Sequence, residues 1–222
     1  MLKVKICGIN DVAAMEAALN AHADLVGLVF FPPSPRAVTP AAAAKLAEQA
    51  RGRALVAALL VDADDVLIRE VVSNVKPDLL QLHGAETPER VGAVRKLFGV
   101  PAMKAIAIGS AEDLRAVPEF EAVADQILFD AKPPKNADRT GGHGRAFDWN
   151  LLAGRSTMKP VMLSGGLNPE NVSEAIRIVR PDAVDVSSGV ERTLGVKDPE
   201  KIAAFIANAR AAAKQFLREK VS

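Results

Sequence analysis

Eight short β-rich runs alternate with helical patterns through the 222 residues, and no low-complexity linker interrupts them. The length suits eight compact βα units, and no G-x-G-x-x-G turn follows the first strand. These observations predict an α/β fold, a (β/α)8 TIM barrel forming a single domain over residues 1–222. The alternative, a doubly wound open sheet, typically uses about five or six strands and carries that glycine turn.

The strand candidates are residues 4–7, 25–31, 54–61, 79–83, 102–108, 126–130, 160–164 and 183–187. Each is a short apolar or alternating run. Between them Leu67, Val71 and Val75 recur at helical spacing, and Val91, Val94, Leu97 and Phe98 make a second stripe. Ile202, Phe205, Ile206, Ala209, Ala213 and Phe216 make the longest stripe, in the last helix. Helix starts are legible at Thr39-Pro40, Thr87-Pro88-Glu89, Asn168-Pro169-Glu170 and Asp198-Pro199-Glu200. Each sets a capping oxygen before a proline at the first helical position. Ser110 to Asp113 reads as a capping box with Asp in place of Glu. The sixth helix, after Phe147-Asp148-Trp149, has indistinct limits. Residues 131–146 are polar and rich in Gly and Pro, and a loop of that length is expected to act as a functional lid.

Composition narrows the function classes. The formal net charge is +1, so no long-range field draws the chain to nucleic acid or an anionic membrane. Tyrosine is absent and Trp149 is the one tryptophan, which leaves no aromatic platform for single strands. No apolar run approaches the ~20 residues needed to span a bilayer, and the N-terminal residues lack the apolar core of a signal peptide. A single cysteine permits no internal disulfide and suits a reducing cytoplasm. The expectation is a cytoplasmic globular protein acting on a small molecule, with no nucleic-acid or membrane partner; the composition leaves its oligomeric state open.

Strand parity indicates what meets at the C-terminal rim. Side chains alternate, so Lys3, Lys5 and Cys7 share one side of the first strand and Val4 and Ile6 the other. The apolar pair should face the helices, which turns the Lys-Lys-Cys row inward. By the same rule Gln81 and His83, Leu128 and Asp130, and Asp185 and Ser187 point inward. Cys7, His83 and Asp130 each end or nearly end their strand and should converge on one pocket. A lone cysteine is more often a small buried hydrophobe than a reactive group. As a base it would need its thiolate, and Lys5 and the first helix N-terminus are expected to raise the thiolate fraction. Asp130 as an acid would need to hold a proton, which burial under the lid favours. The plain alternative for Asp130 is an ion pair with Lys5 or Lys104. Asp185 is a rival carboxylate one layer deeper. Arg36, in the stiff loop Phe31-Pro32-Pro33-Ser34-Pro35-Arg36, is either a solvated surface arginine or a fork for a substrate carboxylate.

Two glycine-rich turns, Ser164-Gly165-Gly166-Leu167 and Ser187-Ser188-Gly189-Val190, follow the seventh and eighth strands. Barrels often bind phosphate there through backbone N–H groups, although a tight βα turn explains a lone Gly-Gly equally well. The candidate phosphate-binding residues are Gly165, Gly166, Ser188 and Gly189, with Gly142 and Gly144 of the lid adding further donors. His22 and His143 have no partner spacing for a metal, and no H-E-x-x-H or C-x-x-C pattern occurs, so no metal is expected.

These segments in order, from Lys5-Ile6-Cys7-Gly8-Ile9 through the Phe30 to Arg36 loop, Gln81-Leu82-His83-Gly84, Leu128-Phe129-Asp130, Gly141 to Gly144 and the two glycine turns to Glu191, resemble the phosphoribosylanthranilate isomerase family of tryptophan biosynthesis. The resemblance spans nearly the whole chain. It implies a barrel without metal or cofactor and an Amadori rearrangement of a phosphorylated substrate, N-(5-phosphoribosyl)anthranilate. It implies Cys7 as general base, Asp130 as general acid and Arg36 as the contact of the anthranilate carboxylate; His83, by its position either a polar core residue or a rim residue, is a further substrate-binding candidate. Two positions depart from the family pattern: His143 replaces a threonine in the lid, and Leu194 stands where a proline usually precedes Gly195. The histidine-pathway isomerase that performs the same rearrangement resembles this barrel too, but uses an aspartate at the base position. A non-catalytic phosphosugar-binding barrel is the remaining alternative.

Overall fold

The computed structural model describes residues 2–132 and 147–219, with side chains through residue 215. Eight parallel strands close into a barrel in chain order. They are β1 (Lys3–Cys7), β2 (Leu25–Val29), β3 (Leu55–Leu60), β4 (Leu79–Leu82), β5 (Ala102–Ile108), β6 (Gln126–Ala131), β7 (Val161–Leu163) and β8 (Ala183–Val186). The register Lys5 to Asp185 and Ile6 to Val186 between β1 and β8 completes the ring. Around it lie α1 (Val12–Asn20), α2 (Pro40–Ala50), α3 (Asp65–Val75), α4 (Pro88–Phe98), α5 (Val117–Glu121), α6 (Val172–Val179) and α7 (Pro199–Glu219).

Local chemistry sets most helix starts. Thr39, Thr87 and Asp198 accept from backbone N–H groups of the first turns of α2, α4 and α7, and Asp11 and Asp64 do the same for α1 and α3. Two starts differ from expectation. Asn168 takes the N–H groups of Glu170 and Asn171 into a tight turn, so α6 begins only at Val172. Asp113 accepts from the Ser110 N–H as a capping box requires, but the segment it starts is the 3₁₀ turn Asp113–Ala116, followed by the five-residue α5. In place of a sixth helix after Trp149 there is a 3₁₀ turn, Trp149–Leu152. After β8 the chain makes a 3₁₀ turn, Ser188–Val190, and then a two-stranded antiparallel hairpin unforeseen from sequence, β9 (Glu191–Thr193) and β10 (Val196–Lys197).

The apolar residues divide as parity requires. Val4, Ile6, Leu80, Leu82, Ile127, Phe129, Val184 and Val186 join helix residues in the core between barrel and helices. Leu25, Ala57, Leu79, Met103, Leu128, Met162 and Ala183 form a smaller cluster from strands alone, filling the barrel interior. Lys104 belongs to the helix side, since its neighbours Met103 and Ala105 face inward. Lys3 lies exposed at the N-terminal end of β1. In the α4 stripe Val91 and Val94 are buried, but Leu97 is exposed. In α7, Ile202, Phe205, Ile206 and Ala209 are buried against the barrel layer.

Phe205 is fully buried in that core. Phe205→Ala is expected to lower the unfolding free energy by about 3–5 kcal/mol, because the packing around a lost ring relaxes only in part. Urea denaturation followed by circular dichroism measures it.

Candidate active site

The strand C-termini open into a solvent-open cleft. Cys7, Arg36, Gln81, His83, Asp130, Ser164, Gly165, Gly166, Asp185 and Ser188 all line it. The expected convergence of Cys7, His83 and Asp130 is therefore present, and Arg36 and the β7 and β8 turns share the same wall.

The floor is a buried polar chain. Lys5, with no exposed surface, donates to Gln81 Oε1 at 2.7 Å and to Asp185 Oδ1 at 3.0 Å. Ser164 Oγ supports the other Asp185 oxygen at 3.2 Å. The Gln81 amide nitrogen meets His83 Nδ1 at 2.8 Å, and His83 Nε2 meets Asp130 Oδ2 at 3.0 Å. Asp130 Oδ1 accepts from the Ala131 N–H at 2.8 Å. Asp130 thus has His83 as its side-chain partner rather than Lys5 or Lys104. Lys104 instead pairs with Glu86 at 2.7 Å and donates to the Gly84 carbonyl. Glu86 also accepts from the Gly84 and Asp62 N–H groups, which ties down the loop that carries His83.

Burial dominates the electrostatics of the thiol. Dehydration pushes the Cys7 pKa up, and the attraction of Lys5 and Lys197 offsets this only in part while Asp185 adds to it. Lys5 favours the thiolate as expected, but burial outweighs it and the net shift is upward. The first helix, α1, starts only at Val12, and the Asp11 carboxylate occupies its first turn. Burial also lowers the Lys5 pKa, but Asp185 and Cys7 outweigh it and hold the ammonium above its ordinary value.

Arg36 is no solvated surface arginine; it is buried and grips Glu191 as a fork, Nε to Oε1 at 2.6 Å and Nη2 to Oε2 at 2.9 Å. Lys197 Nζ reaches Glu191 Oε1 at 2.9 Å and the Ser187 carbonyl at 2.9 Å, and the Gly195 N–H donates to Glu191 Oε2. Burial would raise the Glu191 pKa, but the bonds from Arg36 and the charge of Lys197 hold it below the usual value. For Lys197 burial prevails over Glu191, and its pKa is lowered. The hairpin places Glu191 and Lys197 opposite each other. The only local signal for it is Gly195, at φ +78° in the two-residue turn; the flanking runs are too short to show a strand pattern. Gly8, also at positive φ, lets the Arg36 stem pass; a Cβ there would sit 2.5 Å from Arg36 Cδ. Leu194, the departure from the family pattern, is exposed at the hairpin turn.

Gly165 and Gly166 both have positive φ, and a Cβ on Gly165 would collide with the Ala131 backbone. A Cβ on Gly189 would collide with the Leu167 carbonyl, so the two turns pack on each other. Gly165, Gly166 and Ser188 line the cleft, and Gly189 lies against the neighbouring turn. Gly142, His143 and Gly144 lie outside the described residues, as does most of the expected lid. Among the described residues no cluster of three His, Cys, Asp or Glu side chains is spaced to hold a metal, and no helix is long and apolar enough to cross a membrane.

Comparison with known proteins gives a consistent result. Residues 4–208 match the family model for N-(5'-phosphoribosyl)anthranilate (PRA) isomerase. The chain is 56% identical over 211 residues to the N-(5'-phosphoribosyl)anthranilate isomerase of Afipia carboxidovorans, covering 95% of this chain and 90% of that one. It is 56% identical over 210 residues to that of a Rhodopseudomonas palustris strain, covering 95% and 96%. The crystal structure of phosphoribosyl anthranilate isomerase from Thermotoga maritima superposes with a TM-score of 0.85 at 35% identity, over 95% of this chain and 100% of that one. Another solved isomerase, in complex with reduced 1-(o-carboxyphenylamino)-1-deoxyribulose 5-phosphate, gives 0.81 at 33% identity over 95% and 100%. With the family model covering nearly the whole barrel and the relatives this similar, the chain belongs to the phosphoribosylanthranilate isomerase family, isomerases of tryptophan biosynthesis.

Proposed function

We propose that the protein converts N-(5-phosphoribosyl)anthranilate to 1-(2-carboxyphenylamino)-1-deoxyribulose 5-phosphate by an Amadori rearrangement, with Asp130 as general acid and Cys7 as general base. The observation that carries the reading is the opening of both groups, one from β1 and one from β6, onto a cleft walled by Arg36 and two glycine turns. Asp130 gives its proton to the furanose ring oxygen as the C1′–O bond breaks and the anilino nitrogen lone pair forms the C1′=N bond. Cys7 takes the proton from C2′, and the released electron pair forms the C1′=C2′ bond and returns the iminium electrons to nitrogen. The resulting enolamine moves its hydroxyl proton to C1′ through solvent and becomes the ketone. Burial makes the base form of Cys7 scarce, and Lys5 is the cation that faces it when the proton leaves.

Arg36 presents its remaining guanidinium edge to the anthranilate carboxylate, with Glu191 fixing the plane of the fork. His83 supports Asp130 from the substrate side. The phosphate is read onto the Gly165-Gly166 and Ser188-Gly189 turns, with Gly142 and Gly144 of the lid as further donors. The relative crystallised with a reduced ribulose phosphate supports this, because its ligand carries the same phosphate and carboxyphenyl ends. One domain of residues 1–222 carries the whole reaction, and a catalytic thiol suits a reducing cytoplasm.

Three outcomes are expected. Cys7→Ala and Asp130→Asn each cut kcat by about 10²–10⁴-fold while a phosphosugar product analogue still binds; fluorescence turnover and calorimetry measure the two, and near-normal turnover in either variant removes that role. Glu191→Gln frees the Arg36 fork and raises KM about tenfold with a smaller change in kcat, read from initial rates. The chain has one cysteine and no tyrosine, so alkaline thiolate absorbance reports Cys7 alone. Its midpoint is expected above 9.0, since burial disfavours the charged form.

A further inference from the structure

The polar chain in the barrel floor can be given its hydrogens from one fixed point. The Lys5 ammonium only donates. Gln81 must therefore turn its carbonyl Oε1 toward Lys5, 2.7 Å away, and its amide N–H₂ toward His83 Nδ1, 2.8 Å away. A donor facing Nδ1 requires that nitrogen to be the acceptor. The ring proton is then on Nε2, which donates to Asp130 Oδ2 at 3.0 Å. Charging the ring would set an N–H against the amide N–H₂ and break the bond. Gln81 is fully buried and held by Lys5, so it has no inexpensive way to turn around.

We infer that Gln81 is a positioning residue that keeps His83 as the neutral Nε2–H tautomer, so that Asp130 faces a neutral hydrogen-bond donor and not a cation. The inference rests on the reading of Asp130 as the general acid. A charged ring at 3.0 Å would make the contact with Asp130 an ion pair. A neutral imidazole orients the same carboxyl group through a single Nε2–H donor bond. The surrounding charged groups have partners of their own. Lys5 and Cys7 face the floor from β1, with Asp185 from β8 answering Lys5. Arg36 and Lys197 are answered by Glu191. Lys104 is answered by Glu86 beside the His83 loop, and the Asp62 carboxylate accepts from the Ala85 N–H. The group in contact with Nδ1 is an uncharged amide, and it sets the state of the ring.

The test is Gln81→Glu, which keeps the side-chain shape but makes position 81 an acceptor toward both Lys5 and His83. Nitrogen-15 NMR of labelled histidine reads the tautomer directly; the chain has three histidines, and a His83→Asn spectrum identifies the signals. The unsubstituted protein is expected to show an unprotonated Nδ1 and a protonated Nε2 at neutral pH. Gln81→Glu is expected to show both nitrogens protonated, a kcat lower by about tenfold or more with KM little changed, and one limb of the kcat/KM pH profile moved to lower pH. Gln81→Met, which removes both bonds, is expected to show mixed tautomers; it carries the test if the glutamate variant does not fold. A doubly protonated ring in the unsubstituted protein, or an unchanged neutral Nε2–H ring in Gln81→Glu, overturns the inference. Failure of the acid assignment is separate: it shows as turnover in Asp130→Asn, whatever the state of the His83 ring.

Discussion

An ammonium group at the axis of a barrel has to be matched there. Lys5 has no exposed surface, and an isolated charge in such a place costs several kcal/mol. Its partners, Asp185 from β8 and Gln81 from β4, arrive from strands that are far apart in the ring and fixed in register. Removing the lysine would strand a buried carboxylate, and removing the carboxylate would strand the lysine. The pair therefore selects one arrangement of the strand ends, and Cys7, Ser164 and His83 are set on top of it. The thiol owes both its dryness and its nearest positive charge to this floor.

A second matched cluster governs the rim. Glu191 is shared by Arg36 and Lys197, so two buried cations meet one carboxylate. Burial above all pushes the Lys197 pKa down, with the charge of Arg36 adding a little, while Arg36 and Lys197 together hold Glu191 below its usual value. The two clusters thus differ in kind. In the floor one cation meets one carboxylate, whereas in the wall two cations share one.

Much of this was legible in the chain. Period-two alternation put Cys7, His83 and Asp130 on the inner face, because helix-facing residues such as Ile6, Leu82 and Phe129 had to be apolar. Cap chemistry gave the starts of α2, α4 and α7. It misplaced α6, where Asn168 closes a turn of its own before the helix begins. The direction of the thiol shift was misread for a simple reason: neighbouring charges can be counted in a sequence, but dehydration depends on how completely the fold closes over the group. The partner of Arg36 was hidden because it stands 155 residues further on, in a hairpin too short to show a pattern. Gln81 was visible as an inward residue. Its role depends on which of its two ends meets Lys5, and only coordinates supply that.

The hairpin that grips Arg36 also has a meaning in time. A ribosome releases Arg36 155 residues before Glu191, and the hairpin that carries Glu191 follows β8, the strand that pairs with β1. Until Glu191 emerges the arginine lacks the carboxylate that it grips in the folded barrel. Closing the ring and pinning Arg36 thus fall to one stretch of chain, β8 and the hairpin that follows it.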